Sequence, residues 1–112
     1  MFHCGIDLAS KTTALCVVDD RERVILEREL PTDFRQILEV LAPYPGVSCV
    51  VESAPLAEHC RRELARAGIE CTIVDARAAK AFFAARKKTD RRDAVTLARM
   101  RCSGWYQAVH PK

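Results

Sequence analysis

The order of strand-like and helix-like segments constrains the fold of this chain more than any other feature. Three runs rich in apolar and β-branched residues come first, at 2–8, 13–18 and 23–30, and short polar turns separate them. Runs of this length joined by tight turns predict an antiparallel meander of three strands. After residue 31 the pattern changes to alternating helices and strands.

Thr32 is the predicted N-cap of the first helix, because its hydroxyl can accept a hydrogen bond from a backbone N–H that has no partner within the helix. The apolar stripe of that helix consists of Phe34, Ile37, Leu38 and Leu41. The apolar run 47–51 predicts a strand buried on both faces. A second helix follows, with Pro55 in its first turn and Gly68 at its end. A strand at 69–74 and helices at 76–85 and 90–102 complete the predicted elements.

The resulting order, β-β-β-α-β-α-β-α-α, predicts an α/β fold with a mixed sheet and helices on both faces. It is the order of the ribonuclease H-like fold, and the core of the actin-like phosphotransferase fold has the same order. Topology alone leaves both open and does not give a function. The chain has 112 residues, which suits one domain. We expect that domain to occupy residues 1–104, followed by an irregular tail at 105–112.

The cysteines and the lack of long apolar runs indicate the compartment. No run approaches the roughly 20 apolar residues that span a bilayer, and the first ten residues are too short and polar for a secretory signal. None of the six cysteines forms a Cys-x-x-Cys pair, so a zinc site is not indicated. Most lie in apolar runs, where they are typical of buried thiols in a reducing compartment. We therefore expect a cytoplasmic protein.

Positive charge is concentrated near the C-terminal end of the chain. Residues 86–101 contain seven basic and two acidic residues, a net charge of +5 in a chain whose total is +3. Such a stripe is typical of phosphate-binding surfaces, although a solvated helix face has the same pattern. Its candidate nucleic-acid contacts are Lys87, Lys88, Arg91 and Arg92.

Four carboxylates have positions that predict a shared site. Asp90 and Asp93 lie on one face of the last helix, together with the apolar Ala94 and Leu97, and should therefore face the sheet. Asp7 and Glu52 each end an apolar strand, where burial of an acid is costly unless it is paired, protonated or bound to a metal. In a sheet of this order those two strands are neighbours.

Convergent carboxylates repel one another unless a cation lies between them. Oxygen ligands of this kind favour Mg²⁺ or Mn²⁺, and two such ions about 4 Å apart can cleave a phosphodiester. Simpler explanations stay open at this point. Asp90 and Asp93 could cap a helix, contributing about 1 kcal/mol, and Asp7 and Glu52 could be exposed strand ends.

Three short motifs resemble the N-terminal domain of the DEDD-type insertion-sequence transposases, also called bridge-RNA-guided recombinases. The first is Gly5-Ile6-Asp7 with Ser10-Lys11, and the second is Val51-Glu52-Ser53. The third and most specific is Lys88-Thr89-Asp90-Arg91-Arg92-Asp93-Ala94. The resemblance covers essentially the whole chain.

The resemblance implies a RuvC-like domain of the ribonuclease H-like class. It implies that Asp7, Glu52, Asp90 and Asp93 are the catalytic, metal-binding acids, with Mg²⁺ or Mn²⁺ as cofactor. It also implies DNA and a guide RNA as partners and a homo-oligomer in the full-length protein. In the family a serine of a C-terminal domain is the nucleophile, and we expect that domain to be absent here. After Glu52 the family usually has a glycine and an aromatic residue, whereas this chain has Ser53-Ala54-Pro55-Leu56.

Three functions are therefore considered from the sequence. The first is the metal-binding catalytic domain of a DNA transposase or recombinase, incomplete for recombination by itself. The second is a non-catalytic nucleic-acid-binding or assembly module. The third, half of an actin-like phosphotransferase, requires a second glycine-rich phosphate loop and a second lobe, and the chain has neither.

Overall fold

The computed structural model describes residues 1–75, Ala81 and residues 93–104. Five strands and three helices lie in these ranges. The strands are β1 His3–Leu8, β2 Thr12–Val18, β3 Val24–Pro31, β4 Ser48–Glu52 and β5 Glu70–Val74. The helices are α1 Phe34–Leu41, α2 Ala57–Arg66 and α3 Asp93–Ser103. Of the alanine-rich segment 76–85, predicted as a helix, only Ala81 is described, and it is helical.

The strands form one mixed sheet in the order β3-β2-β1-β4-β5. β1 to β3 are antiparallel neighbours, as predicted from their short turns. β4 pairs parallel with β1, and β5 pairs parallel with β4, because a helix intervenes before each of them. The carboxyl ends of β1, β4 and β5 therefore share one edge of the sheet, which we call the carboxyl edge.

The two faces of the sheet are covered by different helices, which confirms the predicted three-layer α/β arrangement. Cys4, Ile6 and Val51 belong to the larger cluster of buried residues, which includes Ile37 of α1 and Leu64 of α2. On the opposite face α3 covers the sheet in two smaller clusters. Their buried members are Cys16, Val18, Ala94, Val95 and Ala98 in one and Val50, Val74, Leu97 and Met100 in the other.

The prediction that Ala94 and Leu97 face the core is confirmed, since both are buried. The prediction that Thr32 caps α1 is wrong. The N-cap is Asp33, whose carboxylate accepts from the backbone N–H of Arg35. Thr32 instead uses its hydroxyl to hold the β1–β2 turn, where it donates to the carbonyl oxygen of Ala9 at 2.6 Å.

Pro55 lies in a turn just before α2, which begins at Ala57, rather than within its first turn. Gly68 follows α2 with a φ of +78°, which confirms the predicted end of that helix. Gly104 follows α3 with a φ of +72°. All six cysteines lie in the described ranges, and the structure has them as thiols rather than disulfides. No helix in the described ranges is long and apolar enough to cross a membrane.

Candidate metal centre

Asp7 and Glu52 lie side by side at the carboxyl edge. Ile6 of β1 is the register partner of Val51 of β4, and the next residue of each strand is the acid. Neighbouring strands are about 5 Å apart, so the two backbones hold the carboxylates at adjacent positions. Both residues are half-buried. The prediction that β1 and β4 are neighbours is confirmed.

Both acids belong to the face of the sheet that α3 covers. Side chains alternate along a strand, and Ile6 and Val51 pack on the side of α1 and α2. Asp7 and Glu52 therefore lie on the opposite face. Ala14, the register partner of Asp7 on β2, packs against the cluster under α3, which agrees with that assignment.

Gly5 allows α3 to approach β1 much more closely than any other residue would. A Cβ built on Gly5 would lie 2.0 Å from the carbonyl oxygen of Ala94 and 2.5 Å from the backbone nitrogen of Ala98. Real carbon atoms do not approach so closely, so the helix backbone rests directly on the strand. The contact is two residues before Asp7, and it fixes α3 against the strand that carries the acid.

The direction of α3 places its first turn near the acids. Its C-terminal end lies at the opposite edge, where Arg101 pairs with Glu70 at 3.0 Å and the thiol of Cys102 lies 3.4 Å from the carbonyl oxygen of Asp19. Glu70 begins β5, and Asp19 follows the end of β2. Since Ala94 lies over Gly5, the helix runs antiparallel to β1, and Asp93 begins it on the side of Asp7.

Asp75 directly follows β5 at the carboxyl edge, because its neighbour Val74 is the register partner of Glu52. Asp75 is exposed and is not among the acids predicted from the sequence.

The structure describes only part of the predicted acid set. Asp7 and Glu52 are described in full, and Asp93 is described as the first residue of α3 without its side chain. Asp90 and the basic residues Lys87, Lys88, Arg91 and Arg92 lie outside the described residues. Among the side chains that are described, no group of three or more potential ligands could hold a metal ion. The four-acid site stays a prediction.

The described pair suits a hard divalent cation in its chemistry. Two carboxylates from adjacent strand ends supply only oxygen ligands, which favour Mg²⁺ or Mn²⁺ over zinc.

Gly5 was recognised from the sequence as part of a motif, but its structural role was not predicted. A single glycine within an otherwise apolar strand was the available signal, because it often marks a close backbone approach.

Comparisons with known proteins give a family and a fold. The model of the DEDD family of IS110 elements, described as transposase, matches residues 4–112. A search of curated protein sequences found no match.

Among solved structures, RuvC of T. thermophilus in complex with a Holliday junction substrate aligns with a TM-score of 0.63 and 16% sequence identity. The alignment covers 97% of this chain and 99% of that one. The ethanolamine utilization protein EutJ of Carboxydothermus hydrogenoformans aligns with a TM-score of 0.50 and 20% identity. That alignment covers 72% of this chain and 39% of EutJ, so this chain spans well under half the length of EutJ. At these identities the likeness shows the fold, and the match to RuvC confirms a RuvC-like fold.

Proposed function

Because the chain belongs to the IS110-type DEDD transposase family, we propose that it is the metal-binding domain with which a transposase cleaves and exchanges DNA strands. The observation that carries the proposal is the adjacency of Asp7 and Glu52 at the carboxyl edge, on the face that α3 covers. An isolated exposed strand end would need no second acid beside it.

In this proposal Asp7 and Glu52 hold Mg²⁺ or Mn²⁺ together with Asp90 and Asp93. A divalent ion held there would polarise the phosphodiester and stabilise charge on the leaving oxygen. The strands contribute rigidity, since β1 and β4 are hydrogen-bonded neighbours in the centre of the sheet. Gly5 contributes the close approach of α3 to β1, the strand that carries Asp7.

The finer parts of the proposal rest on family membership. We propose that a guide RNA directs the domain to DNA, that the full-length protein acts as a homo-oligomer, and that it works in the prokaryotic cytoplasm. The nucleophile is expected from the serine domain of the family. No serine in this chain matches that nucleophile, so no residue here is assigned the role.

Thermal unfolding with increasing Mg²⁺ or Mn²⁺ tests the proposed metal centre. A cation that binds only the folded state at ten times its dissociation constant stabilises it by about 1.4 kcal/mol. For a domain of this size that corresponds to a rise in Tm of several degrees. We expect the rise in the unaltered chain and its loss in Asp7→Asn, Glu52→Gln and the double variant Asp90→Asn with Asp93→Asn.

Glu39→Gln is the matched control, because Glu39 is an exposed glutamate on α1, away from the carboxyl edge. It should retain the full metal response. An unaltered chain whose Tm ignores millimolar Mn²⁺ would contradict the proposal. Nucleic-acid binding without any metal response would instead favour the non-catalytic binding or assembly module.

A further inference from the structure

Four of the six cysteine thiols gather on the face of the sheet that α1 and α2 cover. All four belong to the same buried cluster, and they are Cys4 of β1, Cys49 of β4, Cys71 of β5 and Cys60 of α2. Cys49 is the register partner of both Cys4 and Cys71, so three thiols form a row across neighbouring strands. Cys60 comes from the helix that packs against β5. The candidate metal centre at the carboxyl edge uses none of them.

The four thiols are in contact as two pairs. The Cys71 thiol donates a hydrogen bond to the Cys60 sulfur, which lowers the pKa of Cys60 and raises that of Cys71. Cys4 and Cys49 form the second pair, and their hydrogen bond raises the pKa of Cys49. Because the thiolate is the nucleophilic form of cysteine, the first pair contains the sulfur that is better suited to react, that of Cys60.

Strand geometry disfavours a disulfide within the row of three. Side chains of register partners in parallel strands point the same way, so their Cβ atoms are about as far apart as the strands, about 4.8 Å. A disulfide requires Cβ atoms about 3.5–4.5 Å apart. The backbone hydrogen bonds of the sheet keep the strands from moving closer, so Cys49 is poorly placed to bond with Cys4 or with Cys71.

Cys60 and Cys71 instead meet between a helix and the sheet. No ladder of hydrogen bonds fixes the spacing of these two layers, so a small shift of α2 can bring the two sulfur atoms to bonding distance. β5 is the last strand in the order of the described sheet. Cys71 is 8% exposed there, whereas the other three thiols are completely buried. This pair is therefore the one that a small oxidant reaches most directly.

We propose that Cys60 and Cys71 are a peroxide-sensitive dithiol, which hydrogen peroxide oxidises to a disulfide between α2 and β5. The Cys60 thiolate attacks one peroxide oxygen and the O–O bond breaks, which gives a sulfenic acid and a hydroxide that takes up the proton released by Cys60. The Cys71 sulfur then attacks the sulfenic sulfur, the S–O bond breaks, and the leaving hydroxide takes the Cys71 proton. In total two thiols and one peroxide give one disulfide and two molecules of water.

The disulfide links the middle of α2 to the edge of the sheet. It closes a short loop that contains Gly68 and the turn before β5, and a closed loop in the unfolded chain stabilises the folded state. Cytoplasmic disulfides are usually transient, so a thiol reductant should reverse the link. Cys71 is the second residue of β5, near the end opposite the carboxyl edge. The inference therefore does not depend on the proposed function.

Oxidation of the unaltered chain in dilute solution, followed by peptide mapping, tests the pair. The chain is reduced, freed of reductant, treated with hydrogen peroxide and blocked with N-ethylmaleimide. It is then digested with trypsin and Glu-C, which cleaves after Glu52 and so separates Cys49 from Cys60. We expect one cross-link, between Cys60 and Cys71. We also expect a Tm that rises by several degrees and returns to its original value with dithiothreitol.

Two alanine variants separate this pair from a general effect of oxidation. Cys60→Ala should lose both the cross-link and the rise in Tm. Cys4→Ala is the matched control, because it removes an equally buried thiol of the same cluster from the other pair, and it should retain both. Circular dichroism of each variant checks that the fold is retained.

A cross-link between Cys4 and Cys49, or oxidation of Cys71 to a sulfinic acid without any cross-link, would overturn the assignment. Reduced Cys60 and Cys71 after peroxide treatment, with an unchanged Tm, would overturn it as well. The metal titration decides the proposed function separately. A normal Mn²⁺ response with no cross-link rejects the dithiol alone, whereas a cross-link with no Mn²⁺ response rejects the metal centre alone.

Discussion

At the scale of a single residue, Asp33 shows how one exposed carboxylate stabilises the start of a helix, α1. Its side chain accepts from the Gln36 side chain at 3.3 Å and from the Arg35 backbone N–H at 2.9 Å. These hydrogen bonds favour the ionised form and hold the pKa of Asp33 below its usual value, and the one from the Gln36 side chain has the largest effect. An N-cap that is also charged interacts favourably with the dipole of α1.

The lowered pKa of Asp33 predicts a pH-dependent contribution to stability. A carboxyl group with a depressed folded-state pKa stabilises the protein above its unfolded pKa of about 3.9, and the gain is lost as pH falls through the folded value. We therefore expect Asp33→Asn to be less stable than the unaltered chain at pH 7 and to approach it below about pH 4. Urea unfolding at a series of pH values measures the difference.

Asp33→Ser is the matched variant for this experiment, because serine also caps helices but never carries charge. It should follow Asp33→Asn across the pH range. A stability difference that stays constant from pH 7 to pH 2.5 would show that the charge of Asp33 plays no part.

The candidate acids and the helix cap differ in how far the sequence could predict them. Asp7 and Glu52 were found because an acid at the end of an apolar strand is a local pattern, and the predicted strand order made them neighbours. The choice between Thr32 and Asp33 depends on a distant contact. The Thr32 hydroxyl is hydrogen-bonded to Ala9 and Thr13, which are more than eighteen positions away in the sequence. Local propensities do not contain that information.

At the scale of elements, α3 determines whether the candidate site can form. It covers one face of the sheet, including Cys16 of β2, and Gly5 is the point of closest approach. The four thiols Cys4, Cys49, Cys60 and Cys71 are buried on the other face, under α1 and α2. Thiol protection can therefore report separately on the two helical layers.

Gly5→Ala should detach α3 from the sheet. A methyl group would lie 2.0 Å from the Ala94 carbonyl oxygen, and overpacking of a well-packed core typically costs about 1–3 kcal/mol or more. We expect iodoacetamide, followed by mass spectrometry, to label Cys16 and Cys102 much faster in this variant. The four thiols on the other face should stay protected, and the Mn²⁺ response should disappear.

Gly68→Ala serves as the control for Gly5→Ala. Its φ of +78° costs about 1–2 kcal/mol for a residue with a side chain, but nothing lies within 4 Å of the added methyl group. It should lower stability without changing the labelling of Cys16. Equal labelling of all thiols in Gly5→Ala would indicate global unfolding, and unchanged labelling would contradict the role assigned to the glycine.

The elements themselves were largely predictable, because each has a periodic apolar pattern. Ile37 and Leu41 of the predicted α1 stripe are buried, and the strands differ from prediction by one residue at their ends. β3 was the least constrained, since Val24 and Ile25 are 39% and 44% exposed at the edge of the sheet. The glycine in β1 indicates a close backbone approach, but the sequence does not show that α3 makes it, because that depends on how two distant elements pack.

At the scale of the whole molecule, the excess positive charge and the acid pair lie in different parts of the sequence. The +5 segment 86–101 contains the predicted phosphate contacts, whereas the rest of the chain has a net charge of −2. Asp7 and Glu52 come from the acidic part, and α3, which contains residues 93–101 of the basic segment, packs on their face of the sheet. A local excess of positive charge of this kind attracts polyanions such as nucleic acids.

Salt dependence tests whether the basic segment makes those contacts. Each phosphate contact contributes about 0.9 to the slope of log K against log salt for duplex DNA. Neutralising Lys87, Lys88, Arg91 and Arg92 with glutamine should therefore reduce the slope by up to about 4. The matched control neutralises Arg28, Arg35, Arg62 and Arg66, which are exposed elsewhere, and loses the same charge. Because net charge falls equally in both variants, a general effect would change both slopes alike, and only contacts within the segment would separate them.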